Sequence, residues 1–237
     1  KEDLTLVDRW VLDRLAEIAV TCQAAYGQFE FHKVYHTLNQ FCAVDLSSLY
    51  IDITKDRMYC DPSGSARRRA TQFVMQKTFD ALCRWLAPIL AFTAEEAWGF
   101  LNGTQSVHVQ EFPSDLANWR DPESHNRMAE AVALRGIVSQ KLEEARQQKL
   151  IGNSLEARVQ LKLENADSFQ YWQENQQQLE EILIVSDLSL SSGSEQDVNV
   201  TKTPYQKCAR CWRHRESVGK SKTHPDLCDR CEKVVSK

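Results

Sequence analysis

The feature that most constrains this chain is a set of four cysteines near its carboxyl end. They form two Cys-x-x-Cys pairs, Cys208/Cys211 and Cys228/Cys231, with sixteen residues between the pairs. A two-residue gap lets both sulfurs of a pair reach one ion, and two such pairs complete the tetrahedral shell of zinc. Because four thiolates leave no open position for an activated water, the spacing predicts one structural Zn²⁺. The alternatives are two disulfides or four thiols that bind nothing, but the spacing and the lack of a recognisable secretory signal favour the metal.

The module around these cysteines is too small to fold on a core of its own. Only about 35 residues surround them, so we expect zinc to hold this part folded. The full 237 residues suit one large domain or two to three small ones. Four other cysteines lie far apart and are expected to be reduced thiols of a cytoplasmic protein: Cys22, Cys42, Cys60 and Cys83. No run of about eighteen apolar residues occurs, so no membrane span is expected.

Charge is divided unevenly along the chain. Ten Lys/Arg and four Asp/Glu lie from Lys202 onwards, a formal +6 that four thiolates and one zinc ion would reduce to about +4. Since the whole chain is −4, the remainder carries −10, and such asymmetry is typical of a nucleic-acid contact. Trp212 follows the second cysteine, and unpaired bases stack on aromatic rings beside cations, here Arg210, Arg213, Arg215, Lys220, Lys222 and Arg230. The alternative is a solvated basic surface with Trp212 packed over the zinc.

Apolar periodicity predicts helices over most of the first 149 residues. Residues recurring every three or four positions favour helices at about 3–26, 29–56 and 65–90. A capping box of Thr93 and Glu96 predicts a short helix that ends near Leu101. Asp121 is expected to cap a fifth helix that lasts to about Gln148.

The pattern changes after residue 150. Apolar and polar residues alternate from Leu155 to Leu163, which predicts a half-buried strand. A helix at about 168–184 and short strands at 185–190 and 198–202 follow, with a turn at Ser191-Ser-Gly-Ser. The predicted fold class is therefore mainly α. We expect an antiparallel helical bundle at 1–149, a small α+β connecting domain at 150–203 and a zinc-binding module at 204–237.

Residue patterns give no sign of a catalytic site. His32 and His36 lie one helical turn apart, but Lys33 stands where a zinc protease needs Glu. Glu95 and Glu96 are explained by a helix start, and neither a glycine-rich phosphate loop nor a Gly-x-Ser-x-Gly elbow occurs. The run Arg67–Arg69 either meets a ligand phosphate or forms a solvated helix start. Residue chemistry alone therefore favours a binding and assembly region over a catalyst.

Four blocks of sequence carry a resemblance to a known family. Asp45–Cys60 and Ala87–Trp98 resemble the anticodon-binding helical domain of bacterial-type isoleucyl-tRNA synthetases. Lys149–Ala157 is similar to a third landmark of that domain, which valyl and leucyl relatives share more loosely. The segment Cys208–Cys231, with Trp212 after the second cysteine, resembles the family's C-terminal zinc module. Because the order and spacing of all four blocks agree and the blocks span most of the chain, the chain is identified as a C-terminal fragment of such an enzyme.

The resemblance implies that the whole enzyme charges tRNA with isoleucine at the expense of ATP. The family's His-Ile-Gly-His-type and Lys-Met-Ser-Lys-Ser motifs do not occur here, and nothing resembles an editing domain. We therefore expect the fragment to be inactive as a ligase, with ATP and isoleucine bound by the absent catalytic domain. The implied partner is isoleucine-acceptor tRNA, with no membrane and no duplex DNA, and the whole enzyme is expected to be monomeric and cytoplasmic.

The same resemblance implies single-stranded RNA recognition, in which splayed bases stack on aromatics while cations hold phosphates. The candidate tRNA contacts are Trp212, Arg210, Arg213 and Arg215 in the tail, and Lys55, Arg57, Arg67, Arg68 and Arg69 on the helical body. Two other classes stay open. Formamidopyrimidine-type DNA glycosylases have a similar four-cysteine tail, but they need an amino-terminal Pro nucleophile where this sequence has Lys1. The chain could also be an interaction scaffold whose zinc only staples the carboxyl end to the body.

Overall fold

The computed structural model describes residues 3–102 and 105–236, and it confirms the predicted mainly helical fold class with a small sheet. Contacts group the chain into two compact units. Unit 1 comprises the chain up to Asp52 together with Gly64–Met128, and unit 2 comprises Ile53–Ser63 and the chain from Ala129 onwards. The finer division at residues 149 and 203 stays a prediction. Within the described ranges, no helix is both long and apolar enough to cross a membrane.

Helices follow one another through the first part of the chain. In order they are α1 (Leu6–Gly27), α2 (Phe31–Gln40), a π-helical segment (Phe41–Ile51), α3 (Asp52–Cys60), α4 (Ala66–Leu86), α5 (Ala91–Asn102) and α6 (Pro122–Gln147). Two short 3₁₀ turns, Val107–Val109 and Asp115–Trp119, lie between α5 and α6. All of α3 except its first residue belongs to unit 2.

The core of unit 1 forms around α1, which packs against α2 and α4. Its buried stripe includes Val11, Leu15 and Cys22, which are fully covered. Asp8 is also buried there, and its carboxylate accepts hydrogen bonds from the hydroxyls of Tyr50 (2.8 Å) and Thr71 (3.4 Å). Since a buried carboxylate is costly without donors, these bonds tie α1 to the π-helical segment and to α4.

Helix α1 lies close to its predicted bounds. The single helix predicted at 29–56 is divided into α2, the π-helical segment and α3, and α4 ends at Leu86 instead of near residue 90. Asp121 caps α6 as predicted, accepting from the amide of Ser124 at 3.0 Å. The predicted capping box of Thr93 and Glu96 is wrong, because α5 already begins at Ala91. Pro88 cannot continue α4, and the chain re-enters a helix three residues later. Glu95 accepts hydrogen bonds from the Val107 amide (2.8 Å) and the Ser106 hydroxyl (2.9 Å), so it fixes the following loop.

Unit 2 contains a three-stranded sheet with the order β2-β1-β3. Strand β1 (Ala157–Leu163) pairs in parallel with β2 (Asp187–Ser192) and antiparallel with β3 (Asp197–Lys202). The predicted alternation is confirmed, since every second residue of β1 is buried. The turn predicted at Ser191 begins later, because β2 runs through Ser192.

The single helix predicted at 168–184 is in fact two helices, α7 (Ala166–Glu174) and α8 (Gln176–Leu183). Asn175 separates them: its side chain donates to the Tyr171 carbonyl at 2.9 Å and accepts from Gln178 at 2.8 Å. These local bonds compete with continuous helix formation. Trp172 of α7 is fully buried, and its indole N–H donates to Glu130 of α6 at 2.9 Å, which anchors α7 on that helix.

Candidate zinc centre and nucleic-acid surface

The four predicted cysteines come together in the last part of unit 2. Cys208 and Cys211 lie between two short paired strands, β4 (Gln206–Lys207) and β5 (His214–Arg215), whereas Cys228 and Cys231 lie at the start of helix α9 (Asp229–Val235). Their sulfurs all lie within 4.8 Å of one another, and those of Cys211 and Cys228 are 3.8 Å apart. A tetrahedral zinc with Zn–S bonds of about 2.3 Å requires sulfurs about 3.8 Å apart. The arrangement therefore fits one zinc ion.

The surroundings of these sulfurs indicate a structural metal. Cys208, Cys228 and Cys231 are at most 2% exposed, and the amide of Cys228 donates to the Cys208 sulfur at 3.3 Å. Apart from the cysteines, the buried cluster here contains only Val218 and Leu227. So little apolar burial cannot hold the module folded, whereas metal coordination can. When bound, zinc would cross-link the two Cys-x-x-Cys pairs, which we call the cysteine knuckles.

A cluster of four arginines, Arg210, Arg213, Arg215 and Arg230, joins the zinc module to the rest of unit 2. Arg230 makes a bidentate pair with the carboxylate of Asp56 on α3, with N–O distances of 2.6 and 2.7 Å. Burial opposes ionisation of Asp56, but the hydrogen bonds from Arg230 and the charge of Arg213 outweigh it and lower its pKa. Planar guanidinium groups suit such bidentate contacts.

The other three arginines donate mainly to backbone carbonyls. Arg213 donates to the carbonyl of Val185 at 2.6 Å, and Arg215 to that of Ser186 at 2.9 Å, just after the end of α8. Both also pair with Glu180, whose pKa is raised because burial outweighs these contacts. Arg210 donates to the carbonyls of Tyr59 and Cys60, at the end of α3. The last carbonyls of a helix lack intrahelical donors, so Arg210 satisfies those of Tyr59 and Cys60 at the end of α3.

Two of the candidate tRNA contacts, Arg57 and Arg213, are buried in the structure. Arg213 is 4% exposed and Arg57 is 1% exposed, and Arg57 lies 3.8 Å from Glu181. Their charged groups therefore lie in the interior, where each pairs with a half-buried carboxylate, Glu181 or Glu180. Arg210 and Arg215 are half-buried and engaged in the contacts described above, so they are weaker candidates than their charge alone suggested.

Trp212 is placed very differently from its neighbours. Its side chain is 63% exposed, and the Lys207 ammonium lies 5.3 Å from its ring centroid. Its backbone has a φ of 63°, a left-handed conformation that is unusual for a bulky residue. The Trp212 amide donates to the Cys208 carbonyl at 3.0 Å, so the cysteine knuckle fixes this conformation. Most of the Trp212 side chain is therefore open to solvent and does not cover the cysteine cluster.

The remaining candidates lie outside the zinc module. Lys55 is exposed on α3, and Arg67, Arg68 and Arg69 occupy the first turn of α4, where Ser65 caps the helix. Positive charge is unfavourable at a helix start, so their placement remains compatible with a ligand phosphate. His32 and His36 are exposed on α2. A second group with possible metal ligands, Asp13, Glu17 and His125, is bridged by Arg120 at 3.2 and 2.8 Å and is therefore an ion-pair cluster.

Sequence reasoning missed Asp56, Glu180 and Tyr59 as parts of this region. Asp56 lies 174 positions before its partner Arg230, and Glu180 lies 35 before Arg215, so no local pattern connects them. Tyr59 is 79% exposed and lies in the last turn of α3. The apolar periodicity of this segment did not predict which side of the helix faces solvent.

Comparisons with known proteins agree with both parts of the structure. Residues 8–161 match the family model of the anticodon-binding domain of tRNA ligase, and residues 206–234 match the zinc finger found in FPG and IleRS. The match to the zinc-finger model, together with the clustered sulfurs, confirms the prediction of one structural zinc.

Individual relatives point the same way. The chain is 40% identical to an isoleucine–tRNA ligase of Moorella thermoacetica, 37% to one of Syntrophotalea carbinolica and 38% to one of Geobacter sulfurreducens. The alignments cover 98–99% of this chain but only 26–27% of the relatives, so it spans about a quarter of their length. The resemblance drawn from the sequence blocks is thereby confirmed. Since the anticodon-binding model matches more than half of the chain, the chain belongs to the family of anticodon-binding domains of tRNA ligases.

Proposed function

We propose that this chain is the part of an isoleucine–tRNA ligase that binds the anticodon stem–loop of tRNA. The whole protein would charge isoleucine-acceptor tRNA at the expense of ATP, as a monomer in the cytoplasm, and this C-terminal part would hold the anticodon end. The observation that carries the proposal is the order of the two family matches in one chain, an anticodon-binding domain followed by the zinc finger.

Within this proposal, zinc has a positioning role. The thiolates of Cys208, Cys211, Cys228 and Cys231 are its ligands, and the knuckle they form holds Trp212 outwards. An exposed indole beside an ammonium group suits an unpaired base, because the base stacks on the ring while the cation lies close to a phosphate. Lys55 and the α4 arginines Arg67, Arg68 and Arg69 are the proposed cationic contacts on the body.

The proposed partner is tRNA and not duplex DNA. Affinity for duplexes depends on many exposed Lys and Arg groups that meet phosphates. Four of the ten Lys/Arg residues of the tail, its arginines, contact Asp56, Glu180 or backbone carbonyls. The family match over residues 8–161 also favours tRNA over a glycosylase-type function.

A salt-titrated binding experiment tests the proposal. The zinc-loaded chain is titrated with fluorescently labelled isoleucine-acceptor tRNA, with its isolated anticodon stem–loop, and with duplex DNA of equal length, at several salt concentrations. We expect the tRNA and the stem–loop to bind with similar affinity, and both to bind more tightly than the duplex at every salt concentration. Equal affinity for tRNA and duplex DNA would contradict the proposal.

A further inference from the structure

We propose that Tyr59 and Trp212 form a two-ring platform on which two unpaired bases of an RNA loop stack. The inference rests on the proposed function and adds a residue of α3 to a surface otherwise assigned to the zinc module. Tyr59 is 79% exposed and Trp212 is 63% exposed. Among the described residues of unit 2, these are the only two aromatic side chains that are predominantly open to solvent; the others are buried or half-buried.

Direct contacts bring the two residues into one neighbourhood. Arg210, two positions before Trp212, donates to the carbonyls of both Tyr59 and Cys60. In return, the Cys60 thiol donates to the Arg210 carbonyl at 3.9 Å. With about 3.8 Å between consecutive Cα atoms, these contacts limit the separation of the Tyr59 and Trp212 Cα atoms to about 20 Å. A single-stranded loop of a few nucleotides spans that distance.

The backbones that carry both rings are fixed before any ligand arrives. Tyr59 belongs to the last turn of α3, where Arg210 holds its carbonyl, and the neighbouring Asp56 is held by Arg230. Trp212 is held by the hydrogen bond that its backbone amide donates to the Cys208 carbonyl. Stacking on such rings orders little backbone, so more of the contact energy is realised as affinity.

The chemistry between the rings favours RNA over an apolar protein segment. The backbone beside Tyr59 is polar, because the Arg210 guanidinium group donates to the carbonyls of Tyr59 and Cys60. Lys207 lies against the Trp212 ring, and Lys55 is exposed one turn before Tyr59 on α3. Isolated π-faces flanked by cations match a strand of bases with a phosphate backbone.

Single and double substitutions test the platform in the full zinc-loaded chain. Binding of the isoleucine-acceptor anticodon stem–loop is measured for Tyr59→Ala, Trp212→Ala and the double variant, with zinc content and melting temperature recorded for each. We expect Tyr59→Ala to weaken binding by about 5- to 150-fold and the losses to multiply in the double variant, since each ring stacks on its own base. Tyr59→Phe, which keeps the ring, should retain wild-type affinity.

A matched control and an independent probe sharpen the test. Tyr35→Ala removes another exposed tyrosine, on α2, and should leave affinity unchanged. Replacing loop bases one at a time by 2-aminopurine should reveal one base whose quenching on binding is lost in Tyr59→Ala and another whose quenching is lost in Trp212→Ala. This fluorescence readout does not depend on overall affinity.

The outcomes separate this inference from the proposed function. If the wild-type chain shows no preference for the stem–loop over duplex DNA, the proposed function fails. If wild-type binding is specific and Trp212→Ala weakens it, but Tyr59→Ala binds normally with unchanged 2-aminopurine quenching, only the platform is overturned. Loss of binding in Tyr59→Phe as well would assign Tyr59 a hydroxyl contact and would also overturn stacking.

Discussion

At the scale of single residues, the tail shows that equal charges can have opposite roles. Arg213 is buried against Glu180 and the Val185 carbonyl, whereas Lys207 lies on the surface beside Trp212. Counting Lys and Arg along the sequence treats both as ligand-facing cations. The structure distinguishes them because guanidinium groups satisfy carbonyls and buried carboxylates that an ammonium group would match less well.

Two truncations of Trp212 should separate its backbone from its ring. Both Trp212→Ala and Trp212→Gly remove the indole, so each should weaken tRNA binding by about 5- to 150-fold with little change in salt dependence. Glycine accepts the φ of 63° without strain, so the glycine variant should be more stable than the alanine variant by about 1 kcal/mol. Calorimetry, zinc analysis and binding assays on the same samples check this. Unchanged affinity with full zinc occupancy would remove Trp212 from the binding surface.

Arg213→Ala should act on stability and leave the salt dependence of tRNA binding unchanged. The substitution leaves the Val185 carbonyl without this donor and weakens the pairing of Glu180, which should cost about 2–4 kcal/mol. A cation that meets a phosphate in single-stranded RNA would instead flatten the salt slope by about 0.7. Denaturant unfolding and salt-titrated binding distinguish the two effects, with the exposed Lys220→Ala as a control that should leave stability unchanged. A flattened slope with normal stability would return Arg213 to the RNA surface.

At the scale of structural elements, the end of α3, α8 and the zinc module are held together by the arginine cluster. Asp56 contacts Arg230, and Glu180 contacts both Arg213 and Arg215. The metal thus orders more than the loops that carry its ligands. It also positions the arginines that contact the end of α3 and the residues after α8. Loss of zinc should therefore also destabilise the end of α3, outside the zinc module.

Replacing Cys208 by Ser should release zinc and unfold the chain after about residue 203. Because α3 then loses Arg210 and Arg230, we also expect faster amide hydrogen exchange at residues 53–63, while α1 and α4 in unit 1 keep their protection. Cys83→Ser, which alters a buried cysteine of α4, is the control that should retain the metal. Metal analysis of the wild-type chain that finds no zinc, or two ions per chain, would contradict the assignment.

A pH titration tests the ion-pair cluster at the start of unit 1. Burial opposes ionisation of Glu17, but hydrogen bonds and charges from Arg120 and Arg14 lower its pKa. Such a group contributes stability above the pKa that Glu17 has in the unfolded chain, about 4.5, and that contribution is lost as pH falls through the lower pKa of the folded state. Glu17→Gln should therefore be less stable than wild type at pH 7, and the difference should shrink between about pH 5 and pH 3. A constant difference across this range would exclude the mechanism.

At the scale of the whole molecule, sequence reasoning succeeds where the determinants are local. Cysteine spacing, the alternation of β1 and the Asp121 cap all depend on neighbours in the chain, and all three appear in the structure. It fails where distant groups decide. The start of α5 follows from the turn after Pro88, and the burial of Arg57 and Arg213 follows from carboxylates far away in sequence. No periodicity reports such pairings.

A chain of this extent is expected to bind tRNA but not to charge it. It spans about a quarter of the length of its relatives, and the sequence contains neither of the family's nucleotide-binding motifs. We therefore expect no isoleucine-dependent pyrophosphate exchange, yet inhibition of an intact isoleucine–tRNA ligase through capture of its tRNA. The inhibition should raise the apparent KM for tRNA, leave kcat unchanged and disappear with excess tRNA, since only the free tRNA concentration falls.

Trp212→Ala is the matched control, because it should inhibit less while it retains zinc. Exchange above a buffer control would place an active site within this chain, and inhibition that excess tRNA does not relieve would show that the chain acts on the enzyme instead of on tRNA.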